Sequence, residues 1–170
     1  MQDIIDMCNE IKEKKLTFVL NPNELWDKFD ESLRPITGAD WHEVKFLDDS
    51  GTNLHSSMDT LPSDSGGIYV FVVKPELIPA THLYILYIGR TKDTDKQNLR
   101  KRCKEYLKDT RPKVIMMKHL WGKHLHIRYL SLKDNHIITK LENELVKAIF
   151  PPCNSEYPGI INKAARAAFM

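Results

Sequence analysis

Tyrosine, arginine and glutamate are the residues of this chain whose types and spacing could do chemistry. Two tripeptides, Gly67-Ile68-Tyr69 and Tyr87-Ile88-Gly89, carry tyrosines eighteen positions apart. A basic run follows, Leu99-Arg100-Lys101-Arg102-Cys103-Lys104-Glu105-Tyr106. In a helix, Arg102 and Tyr106 share one face. Further on stand Glu142 and Glu144, and then Asn154 behind Pro151-Pro152-Cys153. Groups of these kinds suit hydrolysis of a phosphodiester. One carboxylate can hold a hard divalent cation, which keeps several waters and takes substrate phosphate oxygens as its other ligands. An arginine adds an always-charged contact to phosphoryl oxygens. Tyrosine is an awkward general base, because a reference pKa near 10 leaves about a thousandth of it ionised at pH 7. Nearby cations (Arg102, the metal or Lys92) could lower that pKa.

The elements that must position these groups follow from the pattern. Residues 67–73 and 83–89 are β-branched and aromatic runs bounded by Gly or Pro, which predicts a hairpin with a long loop. Neither run alternates between apolar and polar, so the sheet is expected to be covered on both faces. Residues 98–106 predict a helix. Pro112 then breaks the chain before a second helix over 114–121, and 124–132 alternates as a third strand around Leu125, Ile127 and Tyr129. A long amphipathic helix over 135–150 ends at Pro151-Pro152. Glu142 and Glu144 flank its apolar stripe on opposite sides, so periodicity does not choose between them. Upstream, the reading is a helix over 2–14, a strand over 16–20, a helix over 24–32 and one strand at 42–47. Downstream, 160–170 is Ala-rich and reads as a final helix.

With both tripeptides standing without substitution, the chain resembles the GIY-YIG nuclease superfamily over roughly residues 66–154. The resemblance implies an α+β fold, a small three-stranded, mainly antiparallel sheet flanked by helices. Residues 1–60 would be an acidic accessory α/β extension, 61–157 the nuclease core and 158–170 a helical tail. It implies catalytic roles for Tyr69, Tyr87, Arg102, Tyr106, Glu142 and Asn154. The family places an arginine on the basic helix and a His or Tyr one turn later, as Arg102 and Tyr106 stand. Arg100 has only Lys104 at that spacing. Likeness to the nucleotide-excision-repair branch selects Glu142 over Glu144 as the ligand of Mg²⁺ or Mn²⁺. In this reading Tyr69 activates or orients the attacking water, and Tyr87 and Tyr106 hold phosphate and water in line. Arg90, Lys92, Arg100, Lys101 and Lys104 would contact nucleic acid.

The net charge of +2 conceals a polarity. Residues 1–64 hold six Lys/Arg against fourteen Asp/Glu, and residues 90–128 hold thirteen against four. Clustered cations of that density suit a polyanionic partner. The acidic N-terminal region is left with two roles, binding a protein partner or shading the basic face. No apolar run approaches ~18 residues, so no membrane span is expected. The N-terminus lacks the pattern of a secretory signal. Three scattered cysteines form no paired metal spacing, and a cytoplasmic location is the default. His119, His124 and His126 have no acidic partner at ligand spacing. Trp26, Trp41 and Trp121 read as core or interface aromatics.

The leading expectation is a compact, stand-alone, metal-dependent DNA endonuclease of restriction, phage or defence type, acting on double-stranded DNA. One such site cuts one strand, so a double-strand break requires a homodimer or sequential cuts. The competing expectation is a nucleic-acid-binding or regulatory module that keeps the fold without hydrolysis, since fold alone does not guarantee activity. Convergence of Tyr69, Arg102 and Glu142 on one cleft would exclude a third, purely structural reading.

Overall fold

The computed structural model of the chain describes residues 26–74, 78 and 83–158. The elements expected over 2–14, 16–20 and 160–170 lie outside the described residues. The helix expected over 24–32 does not continue through 26–32. Asp30 has extended backbone and its side chain accepts from the Ser32 amide, 2.8 Å, starting a 3₁₀ turn at Glu31–Leu33. A single helical turn, α1 (Arg34–Thr37), follows with Pro35 in its first turn. A capping Asp and an early Pro both favour a helix start here over a helix end.

The strands are β1 (His42–Lys45), β2 (Gly66–Val73), β3 (Tyr84–Thr91) and β4 (Leu125–Leu132). They form one open sheet in the order β1-β4-β2-β3, with every neighbouring pair antiparallel. The expectation of three strands is therefore corrected to four. The extra strand comes from the segment assigned to an accessory extension. Val44 lies opposite Ile127 on β4, and Phe46, Leu47, Met58 and Leu61 beyond it are almost wholly buried in the same core. Burying those apolar residues favours this docking, and without β1 the strand β4 would present an open edge.

β2 is central and buried along all eight residues, as its unalternating pattern predicts. β3 is an edge strand, at the opposite side of the sheet from β1, and is buried only in part. One face of the sheet carries Tyr69, Phe71 and Ile127 against α2 (Leu99–Glu105) and α3 (Pro112–Trp121). The other carries Ile68, Val70, Val72 and Ile88 against Ile138, Leu141 and Val146 of α4 (Asn135–Ile149). Trp121 and Trp41 pack on these cores, whereas Trp26 is 42% exposed.

Local signals set the helix ends. Asn98 caps α2 by accepting from the Lys101 amide at 2.9 Å, and Asp134 caps α4 through the amides of His136 and Ile137. Pro112 opens α3 instead of merely preceding it, because its missing N–H falls where a helix needs none. At the far end of α4, Phe150 turns the chain with φ 56°, a left-handed conformation that costs a non-glycine residue energy. Its ring stacks on Tyr157 at 4.1 Å and both are buried, which offsets that cost. Among the described residues no helix is long and apolar enough to cross a membrane.

Candidate active site at the edge of strand β3

The first part of the site is a cluster of three tyrosines. Tyr69 sits mid-strand on β2, directly opposite Gly89 of β3. Its ring lies over that glycine: a Cβ at position 89 would fall 2.6 Å from the ring and its oxygen. Tyr87 stacks against Tyr69 with centroids 6.4 Å apart, and Tyr106 meets both edge-on at 5.7 and 5.8 Å. The hydroxyls of Tyr69 and Tyr106 hydrogen-bond at 3.0 Å, and Arg102 Nε donates to the Tyr69 oxygen at 3.2 Å. The guanidinium of Arg102 lies 5.1 Å from the centre of the Tyr106 ring, a cation–π distance, and also donates to Glu105 at 3.0 Å. The helix spacing that put Arg102 and Tyr106 on one face thus aims both at Tyr69.

Burial dominates the electrostatics of this cluster. Tyr69 is 1% exposed, and desolvation pushes its hydroxyl well above the usual tyrosine range, with Tyr106 and Tyr87 pushing the same way. Arg102 opposes this and does not reverse it. Burial also raises Tyr106. Of the cations expected to lower the Tyr69 pKa, Arg102 acts in that direction, and the loss of water outweighs it.

The second part is a cavity of about 450 Å³ at the outer edge of β3, lined among others by Tyr87, Arg90, Arg111, Glu142, Asn154 and Glu156. Successive β3 residues point to opposite faces, so Tyr87 enters from the tyrosine side and Arg90 from the α4 side. Arg90 forms an ion pair with Glu142 across this edge. Burial raises the Glu142 pKa, Arg90 opposes that, and the neighbouring charge of Glu156 adds to it. Of the two glutamates beside the apolar stripe, Glu142 lines the cavity, and Glu144 does not line it and pairs with Lys147 at 2.6 Å.

Asn154 has a structural task. Its Nδ2 donates to the Ile88 carbonyl at 2.8 Å and its Oδ1 accepts from the Ile88 amide at 2.9 Å. One side chain thereby replaces a missing strand partner at the edge of β3. The Cys153 backbone N–H donates a hydrogen bond to the Leu86 carbonyl at 2.8 Å, and Lys113 Nζ donates to the Pro152 and Asn154 carbonyls. Asn135, the first residue of α4, makes the same two-way contact with the backbone of Asp93 just beyond the strand. Two asparagines thus pin β3 and the start of the basic loop.

The predicted cations are distributed differently. Lys92 is exposed, Arg90 is paired with Glu142, and Lys104 with Asp59. Arg100 Nε donates to the Leu61 carbonyl at 2.7 Å and Lys101 Nζ to the Lys96 carbonyl at 2.8 Å. Tyr69, Tyr106 and Arg102 converge on one another, while Tyr87, Asn154 and Glu142 line the cavity. Tyr87 belongs to both groups. One residue of this constellation escaped the sequence reading: Arg111, whose guanidinium lies 5.4 Å from the centre of the Tyr106 ring on the cavity side. Its signal was the acidic residue two positions before it, Asp109.

Among the described residues no three His, Cys, Asp or Glu side chains gather as a metal cage. Glu142 and Glu156 are the carboxylates lining the cavity, and burial makes the ionised form of Glu142 depend on a positive partner. Arg90 supplies that partner here, its Nη1 donating to a Glu142 oxygen. Family models, curated proteins and solved structures were all compared with the chain, and none matches it.

Proposed function

We propose that the chain is a metal-dependent DNA endonuclease of the GIY-YIG type. The observation that carries this reading is the double membership of Tyr87, whose ring packs on Tyr69 and Tyr106 while lining the cavity that holds Glu142. Tyrosines, arginine and carboxylate are thereby linked at one strand edge, as attack on a phosphodiester requires. A divalent cation on Glu142 would polarise the phosphate and steady the leaving oxygen. Tyr87, half-buried and facing the cavity, is the phenol placed to orient water against the scissile phosphate. Tyr69 acts as a neutral hydroxyl that fixes Tyr106 and Arg102, so its part is orientation and not proton abstraction. For a cation to bind Glu142, Arg90 would have to release its carboxylate.

A second reading, a nucleic-acid-binding module without hydrolysis, is favoured by two observations. Glu142 is already neutralised by Arg90, and the Tyr69 hydroxyl is out of reach of solvent. Incubation of supercoiled plasmid with Mg²⁺ or Mn²⁺, and with chelator, separates the two. Metal-dependent nicking by the wild type and its loss in Glu142→Ala support the nuclease. Salt-sensitive binding without nicking supports the module. A folded protein that neither binds nor cuts DNA overturns both.

A further inference from the structure

We infer that Arg111 is the guanidinium with which this cavity grips a backbone phosphate of its nucleic-acid ligand. The inference deepens the reading above and rests on its polyanionic ligand, whether or not the ligand is then cut. Three guanidinium groups approach the site, and their commitments differ. Arg102 Nε is used on Tyr69 and its Nη1 on Glu105. Arg90 Nη1 is used on Glu142, a cavity residue, so that pair brings no net charge to the space between them. Arg111 is paired too, but with an acid that does not line the cavity. Asp109 receives Arg111 Nε at 3.0 and 3.1 Å, Nη2 at 2.7 Å and the Arg111 amide at 2.9 Å.

This arrangement orients the cation before any ligand arrives. The Asp109 side chain is only 15% exposed, whereas that of Arg111 is 50% exposed. The guanidinium carbon lies 5.4 Å from the centre of the Tyr106 ring, the Tyr106 side chain is also a hydrogen-bond partner, and Asp109 holds one edge of the fork. Nη1 is the nitrogen not committed to Asp109, and the residue borders the same cavity as Tyr87. A planar donor fixed on two sides is well matched to a phosphate oxygen, and little side-chain entropy is left to lose on contact. The ligand class is accordingly a phosphodiester backbone lying across Tyr87 and Arg111.

The test is binding of a fluorescent duplex oligonucleotide, followed by anisotropy with chelator present, over about 50 to 200 mM salt. Wild type, Arg111→Ala and Arg111→Gln are compared, the last because an amide keeps part of the contact to Asp109 and the packing without the charge. Both variants are expected to bind roughly tenfold more weakly. Each should also lower the slope of log affinity against log salt by about 0.9, the loss of one phosphate contact. Arg111→Lys should restore the slope. Unchanged slopes in a wild-type background that binds or cuts DNA overturn the inference alone. A wild type with no affinity for the duplex overturns it together with the functional reading.

Discussion

Tyr69 and Gly89 face each other across the β2–β3 ladder, and the ring of the one occupies the space that a side chain on the other would need. The two tripeptides are thus one structural unit: the glycine that ends the second makes room for the tyrosine that ends the first. Gly89→Ala forces a methyl group into Tyr69 ring atoms 2.6–2.7 Å away. Overpacking of this kind costs about 1–3 kcal/mol. Thermal unfolding should show a fall of roughly 2–4 °C for each kcal/mol lost. Because the two residues touch, the variant's cost should not add to that of Tyr69→Leu, and strict additivity in a double-mutant cycle would contradict the contact.

Removing only the Tyr69 hydroxyl leaves Tyr106 and Arg102 without the oxygen they share. Tyr69→Phe is expected to destabilise the fold by about 1–2 kcal/mol. If the nuclease reading holds, it should slow cleavage while DNA affinity stays the same. A cleavage rate equal to that of the wild type removes Tyr69 from the chemistry.

Asn154 makes two buried hydrogen bonds to Ile88, and truncation leaves both backbone groups unpaired. Asn154→Ala should cost about 2–4 kcal/mol, from roughly 1–3 for each orphaned group with partial relaxation. The Ile88 amide should also lose protection against hydrogen exchange. Loss of activity without either change would instead assign Asn154 a direct part in catalysis.

The Arg90–Glu142 pair makes stability depend on pH. Burial raises the Glu142 pKa, so the folded state holds this proton more tightly than the unfolded chain does. The contribution of the group is therefore greatest below the unfolded carboxylate pKa, and it is lost as pH rises through the folded value. Arg90 opposes the rise. Arg90→Met should push the Glu142 pKa further up and extend the loss of stability toward neutral pH. Urea midpoints recorded from about pH 4 to about pH 8 would reveal this, and superimposable profiles for variant and wild type would falsify it.

Lys118 holds the end of the basic helix. Its Nζ donates to the carbonyls of Tyr106, Leu107 and Asp109 at 3.0, 2.8 and 3.0 Å. A cation on the last carbonyls also complements the helix dipole. Lys118→Met should cost about 1–3 kcal/mol and loosen the turn that carries Tyr106 and Asp109. Chemical denaturation measures the first effect, and hydrogen exchange over 106–111 the second.

Much of this architecture was legible in the residue order because it rests on local rules. The strands of the hairpin, the basic helix and the long helix lie within about two residues of where periodicity, caps and prolines put them. The shared face of Arg102 and Tyr106 follows from helical spacing alone, and so does the position of Glu142 and Glu144 beside the apolar stripe. The fourth strand was not legible as part of the same sheet, because the pairing of β1 with β4 joins residues more than eighty positions apart. Nothing within a short stretch encodes such a partner.

Residue types and spacing pointed to Tyr69, Arg102 and Glu142 and to the strand or helix that carries each. Tertiary structure alone decided how those groups behave. Whether Tyr69 ionises depends on how completely two helices and a sheet exclude water from its oxygen, a property of the packed assembly and not of any spacing. Glu142 instead of Glu144 faces the cavity because α4 packs on β3 in one orientation. Arg111 joins the site because the turn after Tyr106 folds back over that ring. Local residue patterns encode periodicity and capping, whereas burial, charge pairing and access to solvent are set by neighbours that only the fold brings together.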